Sequence, residues 1–179
     1  MEDILNKEPV KRVQKKLNEF SNELKAIVLN SSARTAQQAA EGLNTEVGSI
    51  VKSLLFKTED SFVLCLVSGD KRCSLNKLKK IKNQKDISMA NADEVKEVTG
   101  FTIGGVSPVA HLQQIEIFID EELNRFNNIY AAAGHPNCIF KIDFDNLKKP
   151  IVRGPKEYVA ILILKKAEAH IRDNKVNNK

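Results

Sequence analysis

The 179-residue chain has little cysteine, no tryptophan and no long hydrophobic run. Its three cysteines, Cys65, Cys73 and Cys138, are far apart, with no Cys-x-x-Cys pair and no cysteine–histidine ligand spacing. That pattern argues against a disulfide framework or a structural zinc site, and a reducing cytoplasm is the simplest setting. No apolar run approaches the ~20 residues needed to span a bilayer. The opening Met1-Glu2-Asp3-Ile4-Leu5-Asn6-Lys7 is acidic where a signal peptide is basic, and no sustained apolar segment follows. Neither secretion nor a membrane partner is therefore expected. No internal repeat or low-complexity linker divides the chain. What is present, 42% hydrophobic and 28% charged residues, describes an ordinary globule long enough for one domain with a substantial core.

A net charge of +5 permits an RNA partner without requiring one. Its distribution says more. Lys77, Lys79, Lys80, Lys82 and Lys85 crowd together, as do Lys148, Lys149, Arg153 and Lys156, and then Lys165, Lys166 and Arg172. Each cluster fits either a phosphate-neutralising patch with salt-sensitive binding or a solvated helix face.

Val10, Val13, Leu17, Phe20 and Leu24 recur at helical spacing and predict a helix over about 9–22. A short strand over 26–29 follows. Thr35 and Gln38 stand at capping-box spacing ahead of a helix over 36–43. Residues 50–56 and 61–67 read as strands joined by a hairpin at 58–60. Ser74 can cap a helix through Ile81, with Leu75, Leu78 and Ile81 facing inward. Residues 87–89 predict a short strand, and Asn91 opens a helix through about Val98. Strands over 115–119, 129–133 and 138–142 and a short helix carrying Phe144 and Leu147 complete the pattern of one α/β (α+β) domain. Arg153-Gly154-Pro155 punctuates the chain, leaving residues 153–179 as a C-terminal extension. Val159, Leu162, Ile163, Ala167, His170 and Ile171 form a helical stripe there, although residues 158–164 fit a strand equally well, and a frayed polar tail closes the chain.

Two segments carry candidate chemistry. Residues 99–108, T-G-F-T-I-G-G-V-S-P, set Gly100, Gly104 and Gly105 close together before Pro108. Glycine reaches positive φ and admits close approach to the backbone, and successive N–H groups in such a turn form a concavity for an anion or carbonyl oxygen. An ordinary glycine-rich turn is the competing interpretation. The second segment is the 50–56 strand, where Ile50, Lys52, Leu54 and Phe56 share a face. An ammonium on that apolar side needs an anionic or strongly polar partner, or an exit to water. Conventional nucleophilic sets are poorly supported. Cys138 opens an apolar strand, Ser107 lacks a Gly-x-Ser-x-Gly elbow, and His111 and His170 have no evident triad or ligand partner. Asp120, at a strand end, fits a loop cap or a substrate contact.

Taken in order, these blocks resemble the YbaK/EbsC-like family, the free-standing relatives of the prolyl-tRNA synthetase editing domain. The likeness runs from about Val10 to Lys149. It includes Arg34-Thr35-Ala36-Gln37-Gln38-Ala39-Ala40, Val47-Gly48-Ser49-Ile50-Val51-Lys52-Ser53-Leu54, Met89-Ala90-Asn91-Ala92-Asp93-Glu94-Val95, the glycine loop, Phe118-Ile119-Asp120-Glu121 and Ile129-Tyr130-Ala131-Ala132-Ala133-Gly134. The resemblance implies a mixed β-sheet flanked by helices, with the editing domain over residues 1–152. It implies hydrolysis of the ester of mischarged tRNA, with no metal or organic cofactor and with an aminoacyl-tRNA synthetase as a possible partner. Lys52 would hold the terminal adenosine or its phosphate. Gly104 and Gly105 would polarise the ester carbonyl, and the adenosine's own hydroxyl would help activate the water. Gly100, Ser107, Pro108, Ala132, Gly134 and His135 would border the substrate. The cysteinyl-tRNA-clearing branch carries a Ser-Gly-Gly turn followed by an acid. Here that turn is Ala132-Ala133-Gly134 and the acid position falls on Ile139, which puts cysteine specificity in doubt. A noncatalytic RNA-binding or synthetase-associated module and a small-molecule ester hydrolase are the competing functions.

Overall fold

Thr58 and Ser61 make the turn on which the central hairpin folds. The Thr58 hydroxyl donates to Asp60 at 3.1 Å and accepts from the Ser61 N–H at 3.0 Å, while the Thr58 N–H donates to the Ser61 carbonyl at 2.9 Å. The computed structural model describes residues 3–30, 33–152 and 162–164. In chain order its principal elements are α1 (Glu8–Asn18), β1 (Ile27–Val28), α2 (Ala36–Leu43), β2 (Val51–Lys57), β3 (Phe62–Ser68) and α3 (Leu75–Lys82). They continue with β4 (Ser88–Met89), α4 (Ala92–Thr99), β5 (Glu116–Asp120), β6 (Ile129–His135), β7 (Cys138–Ile142), α5 (Phe144–Val152) and β8 (Leu162–Leu164).

The larger sheet has the order β4-β2-β3-β5-β8. The β2 strand is antiparallel to β3 and β4, whereas β3–β5 and β5–β8 are parallel, so the expected mixed sheet is present. It is accompanied by a second, antiparallel sheet of order β1-β7-β6. A single parallel bridge from Ile50 to Tyr130 ties the two sheets together outside the named strand pairings. The β3 strand is nearly continuous in apolar residues because both its faces are covered. Leu64 and Leu66 face Val10, Val13 and Leu17 of α1, with Phe101 and Phe140 in the same core. Val63, Cys65 and Val67 pack in a second layer with Phe56, Phe118 and Leu78 of α3. A third cluster sets Ala39 and Ala40 of α2 against Ile50 and Ile139.

Local signals placed the helix starts well. Thr35 accepts from the Gln38 N–H at 3.2 Å, although the Gln38 amide reaches back to the Arg34 N–H rather than to Thr35. Asn91 and Glu94 close a full capping box on α4. Helix α1 ends at Asn18, short of the expected 22, because the Phe20 and Ser21 N–H groups both fold back on the Leu17 carbonyl. In α3 only Leu78 is buried; Leu75 and Ile81 are 38% and 41% exposed. At about 100° per residue these three span a wide arc with Leu78 at its centre, and only the centre meets the sheet. Leu162 and Ile163 lie in a strand beside β5, not in a helix, and the remaining positions of the expected helical stripe lie outside the described residues.

Candidate functional site

Strand β4 covers β2 only at Phe56 and Lys57, with one further bond from the Ala90 N–H to the Leu55 carbonyl at 3.0 Å. Among the described residues, the first half of β2 therefore has no strand paired to it on that side. In an antiparallel ladder, alternate residues direct their amide groups to opposite neighbours. The Leu55 carbonyl points toward β4, so the amide groups of Ser53, two residues earlier, point to the same open side. A cavity of about 360 Å³ occupies that side. Its walls are Val51, Lys52, Ser53 and Leu54 of β2, the segment Ala33 to Ala36 that leads into α2, and Ile103, Gly104 and Val106 of the glycine loop. Tyr130 and Ala132 of β6, Pro136 and Ile139 complete them. The Ala33 end is tied in place by its N–H, which donates to the Asn137 side chain at 3.3 Å.

The Lys52 ammonium donates to the Lys71 carbonyl, the strongly polar partner that its position on an apolar face requires. Among the described residues it forms no ion pair with a carboxylate. Burial pushes its pKa below the ordinary lysine value; Asp70 and Asp120 oppose that shift, and the positive charge of Arg72 adds to it. Beside it, the Ser53 hydroxyl is the one buried side-chain polar atom without a hydrogen-bond partner among the described residues.

The glycines divide by role. Gly104 has φ +86° and lines the cavity, with room beside it: an added Cβ would lie 3.6 Å from Pro136. Gly105 does not line the cavity. Its N–H donates to the Thr102 carbonyl at 2.9 Å, and a Cβ there would come within 2.9 Å of the His135 backbone. Gly100, with φ +78°, ends α4 by donating to the Lys96 carbonyl, and a Cβ would strike Arg12 and Leu112. Gly134, with φ +89°, lets the Pro9 carbonyl approach to 2.6 Å of its Cβ position.

Of the other expected site residues, Ala132 is in the cavity wall and the rest stand outside it. Ser107 is wholly buried, its hydroxyl accepting from the Val109 N–H at 3.3 Å. Its carbonyl accepts from His111 Nε2 at 2.7 Å. Pro108 is buried beside it. His135 turns Nδ1 toward the Asn137 N–H, which donates at 3.1 Å. Asp120 is a loop cap, accepting from the Ser68 and Glu122 N–H groups. Burial pushes the Cys138 thiol up to about 11, so it is no nucleophile near neutrality. Ser53, Tyr130, Pro136 and the 63% exposed Ile103 were not expected in the site. Ser53 carried a usable signal, a small polar residue next to the candidate lysine; the others have none without the second sheet.

Comparison with known proteins gives these walls a context. Residues 30–149 match the family profile of the aminoacyl-tRNA editing domain. A proline–tRNA ligase of Thermosipho africanus is 36% identical over 106 residues, which are 59% of this chain but only 19% of the ligase. The uncharacterized protein YwhH of Bacillus subtilis is 30% identical over 134 residues, covering 74% of this chain and 85% of that protein. Among solved structures, one described as a candidate trans-editing enzyme for prolyl tRNA synthetase superimposes with a TM-score of 0.76 at 36% identity. The match covers 89% of this chain and 99% of that one. With the profile matched across most of its length and a fold to agree, the chain belongs to the aminoacyl-tRNA editing domain family.

Proposed function

We propose that this protein is a trans-editing deacylase, hydrolysing the ester that joins a wrong amino acid to tRNA, in prolyl-tRNA quality control beside a synthetase. The observation that carries this reading is the composition of the cavity. Its walls hold two basic residues (Lys52 and Arg34), Ser53 with its unpartnered hydroxyl and a positive-φ glycine (Gly104), while no carboxylate, imidazole or thiol is among its described lining residues. Such a wall suits a substrate that already carries a reactive carbonyl. An aminoacyl ester is activated toward water, so positioning and charge stabilisation suffice where an amide would need a nucleophile. Lys52 holds the adenosine end by its charge. The exposed backbone of the Gly104 turn faces the carbonyl oxygen as negative charge develops on it, and Ser53 contacts a polar atom of the bound aminoacyl-adenosine. With no general base in the wall, the adenosine's free hydroxyl directs the water.

Gly105 serves this arrangement indirectly, as a positioning residue that lets the glycine loop close on the His135 backbone. Single-turnover deacylation of a panel of mischarged tRNAs tests the proposal. Release of amino acid from at least one mischarged tRNAPro, abolished in Lys52→Ala, is the expected result. Tight tRNA binding with no turnover on any member would instead make the chain a noncatalytic module. Hydrolysis of simple esters that tRNA does not inhibit would make it a small-molecule esterase.

A further inference from the structure

A second cavity, of about 160 Å³, opens beside the segment that accepts the Lys52 hydrogen bond. Lys71, Arg72 and Lys77 line it, with Asp120 and Glu122 on its acidic side. Both acids are already engaged. Asp120 accepts two backbone N–H groups, and Glu122 pairs with Arg125 Nε at 3.2 Å, leaving only a 3.9 Å approach to Lys71. Arg72 is exposed, and among the described residues it makes no ion pair or hydrogen bond. Lys71 connects the two cavities: its carbonyl accepts from Lys52, a residue of the first, and Lys71 itself lines the second.

We propose that this cleft binds a phosphodiester of the tRNA 3′ end, with Arg72 as the principal contact and Lys71 and Lys77 flanking it. The proposal rests on the deacylase reading for the direction of the strand: a terminal adenosine held at Lys52 sends its neighbouring phosphates across the Lys71–Arg72 segment. A guanidinium offers forked donors matched to phosphate oxygens, which an ammonium does not. Its lack of a carboxylate partner means that no internal ion pair has to break when the phosphate arrives.

The test titrates the full-length protein with a deacylated acceptor-stem hairpin at several salt concentrations, comparing parent, Arg72→Gln and Arg72→Lys. The same proteins are assayed on aminoacyl esters of adenosine, which has no phosphate, and of the trinucleotide CpCpA. Arg72→Gln is expected to weaken hairpin binding on the order of tenfold and to lower the salt slope by about 0.7, the value of one single-stranded phosphate contact. Arg72→Lys keeps the slope. In Arg72→Gln, kcat/KM falls more on the CpCpA ester than on the adenosine ester. Parent-like affinity and slope in Arg72→Gln would overturn the proposal. So would an equal loss on both esters, which would place Arg72 in the electrostatics of Lys52 instead. A parent protein that hydrolyses neither ester, yet shows the Arg72-dependent slope, would sink the deacylase reading and leave the phosphate site standing.

Discussion

At the scale of single residues, Lys52 and Ser53 separate function from stability in opposite ways. Lys52→Ala removes a charge that burial disfavours and that forms no ion pair among the described residues, so the melting temperature should hardly move. Single-turnover deacylation should fall at least about 100-fold, the scale of one charge-assisted contact in a dry site. Ser53→Ala removes a buried hydroxyl that has no partner. Unsatisfied groups of that kind cost ~1–3 kcal/mol, so the variant should be more stable, by about 1 kcal/mol in denaturant unfolding, while kcat/KM declines. Equal or lower stability would show that the hydroxyl has a partner in solution. His111 gives a pH prediction. Burial pushes its pKa down to about 4 from an ordinary 6.5, against the Ser107 carbonyl that favours its charged form. The unfolded chain therefore binds more protons between those values, and stability is lost as pH falls from 6.5 toward 4. The loss is at most about 3 kcal/mol, less in so far as water still reaches the ring. His111→Phe should flatten that acid limb in unfolding titrations. Lys52 was legible in the sequence because an isolated charge in an apolar strand stands out. The need for a ligand at Ser53 was not, since a missing partner is a property of three-dimensional surroundings.

At the scale of elements, the glycine loop is one turn containing two different constraints. Gly104→Ala meets space but a left-handed backbone, and it should cost about 1 kcal/mol of stability while slowing the chemical step. Gly105→Ala drives a methyl into the His135 backbone, and it should cost about 2 kcal/mol and loosen the loop as a whole. Thermal unfolding alongside single-turnover kinetics distinguishes the two; identical profiles would remove the distinction. Sequence reading found both glycines but could not separate them, because only the approach of β6 decides which one faces the cavity. The same limit applies to α3. Its cap at Ser74 is a local matter and was visible, whereas the exposure of Leu75 and Ile81 depends on how little of a two-turn helix touches a sheet. Helix starts and strand cores are written in neighbouring residues. The docking of β1 on the β6–β7 hairpin, Ile27 with Ile139, and the bridge between the sheets, Ile50 with Tyr130, join residues 112 and 80 positions apart, which periodicity does not reveal.

At the scale of the whole molecule, the basic clusters are not equivalent. On α5, Lys148 is paired with Asp145 and lies over the Phe144 ring, and Lys149 bonds to Asn146. On α3, Lys82 is paired with Glu116, and Lys79 and Lys80 have no ion pair among the described residues. Neutralising Lys79 and Lys80 should therefore flatten the salt dependence of tRNA binding more than neutralising Lys148 and Lys149. Equal effects would spread the footprint over both faces. A different consequence follows from α1. The family match begins at residue 30, yet Val10, Val13 and Leu17 are fully buried in the main core, and the Pro9 carbonyl sits against Gly134. Burial of three such side chains is worth roughly 5–9 kcal/mol, comparable to the whole stability of a small domain. The stretch that matches the family profile, residues 30–149, thus leaves out side chains on which the main core of this chain is built. Excised as residues 30–149 it should be insoluble or molten, and adding α1 back as a separate peptide should restore a cooperative transition.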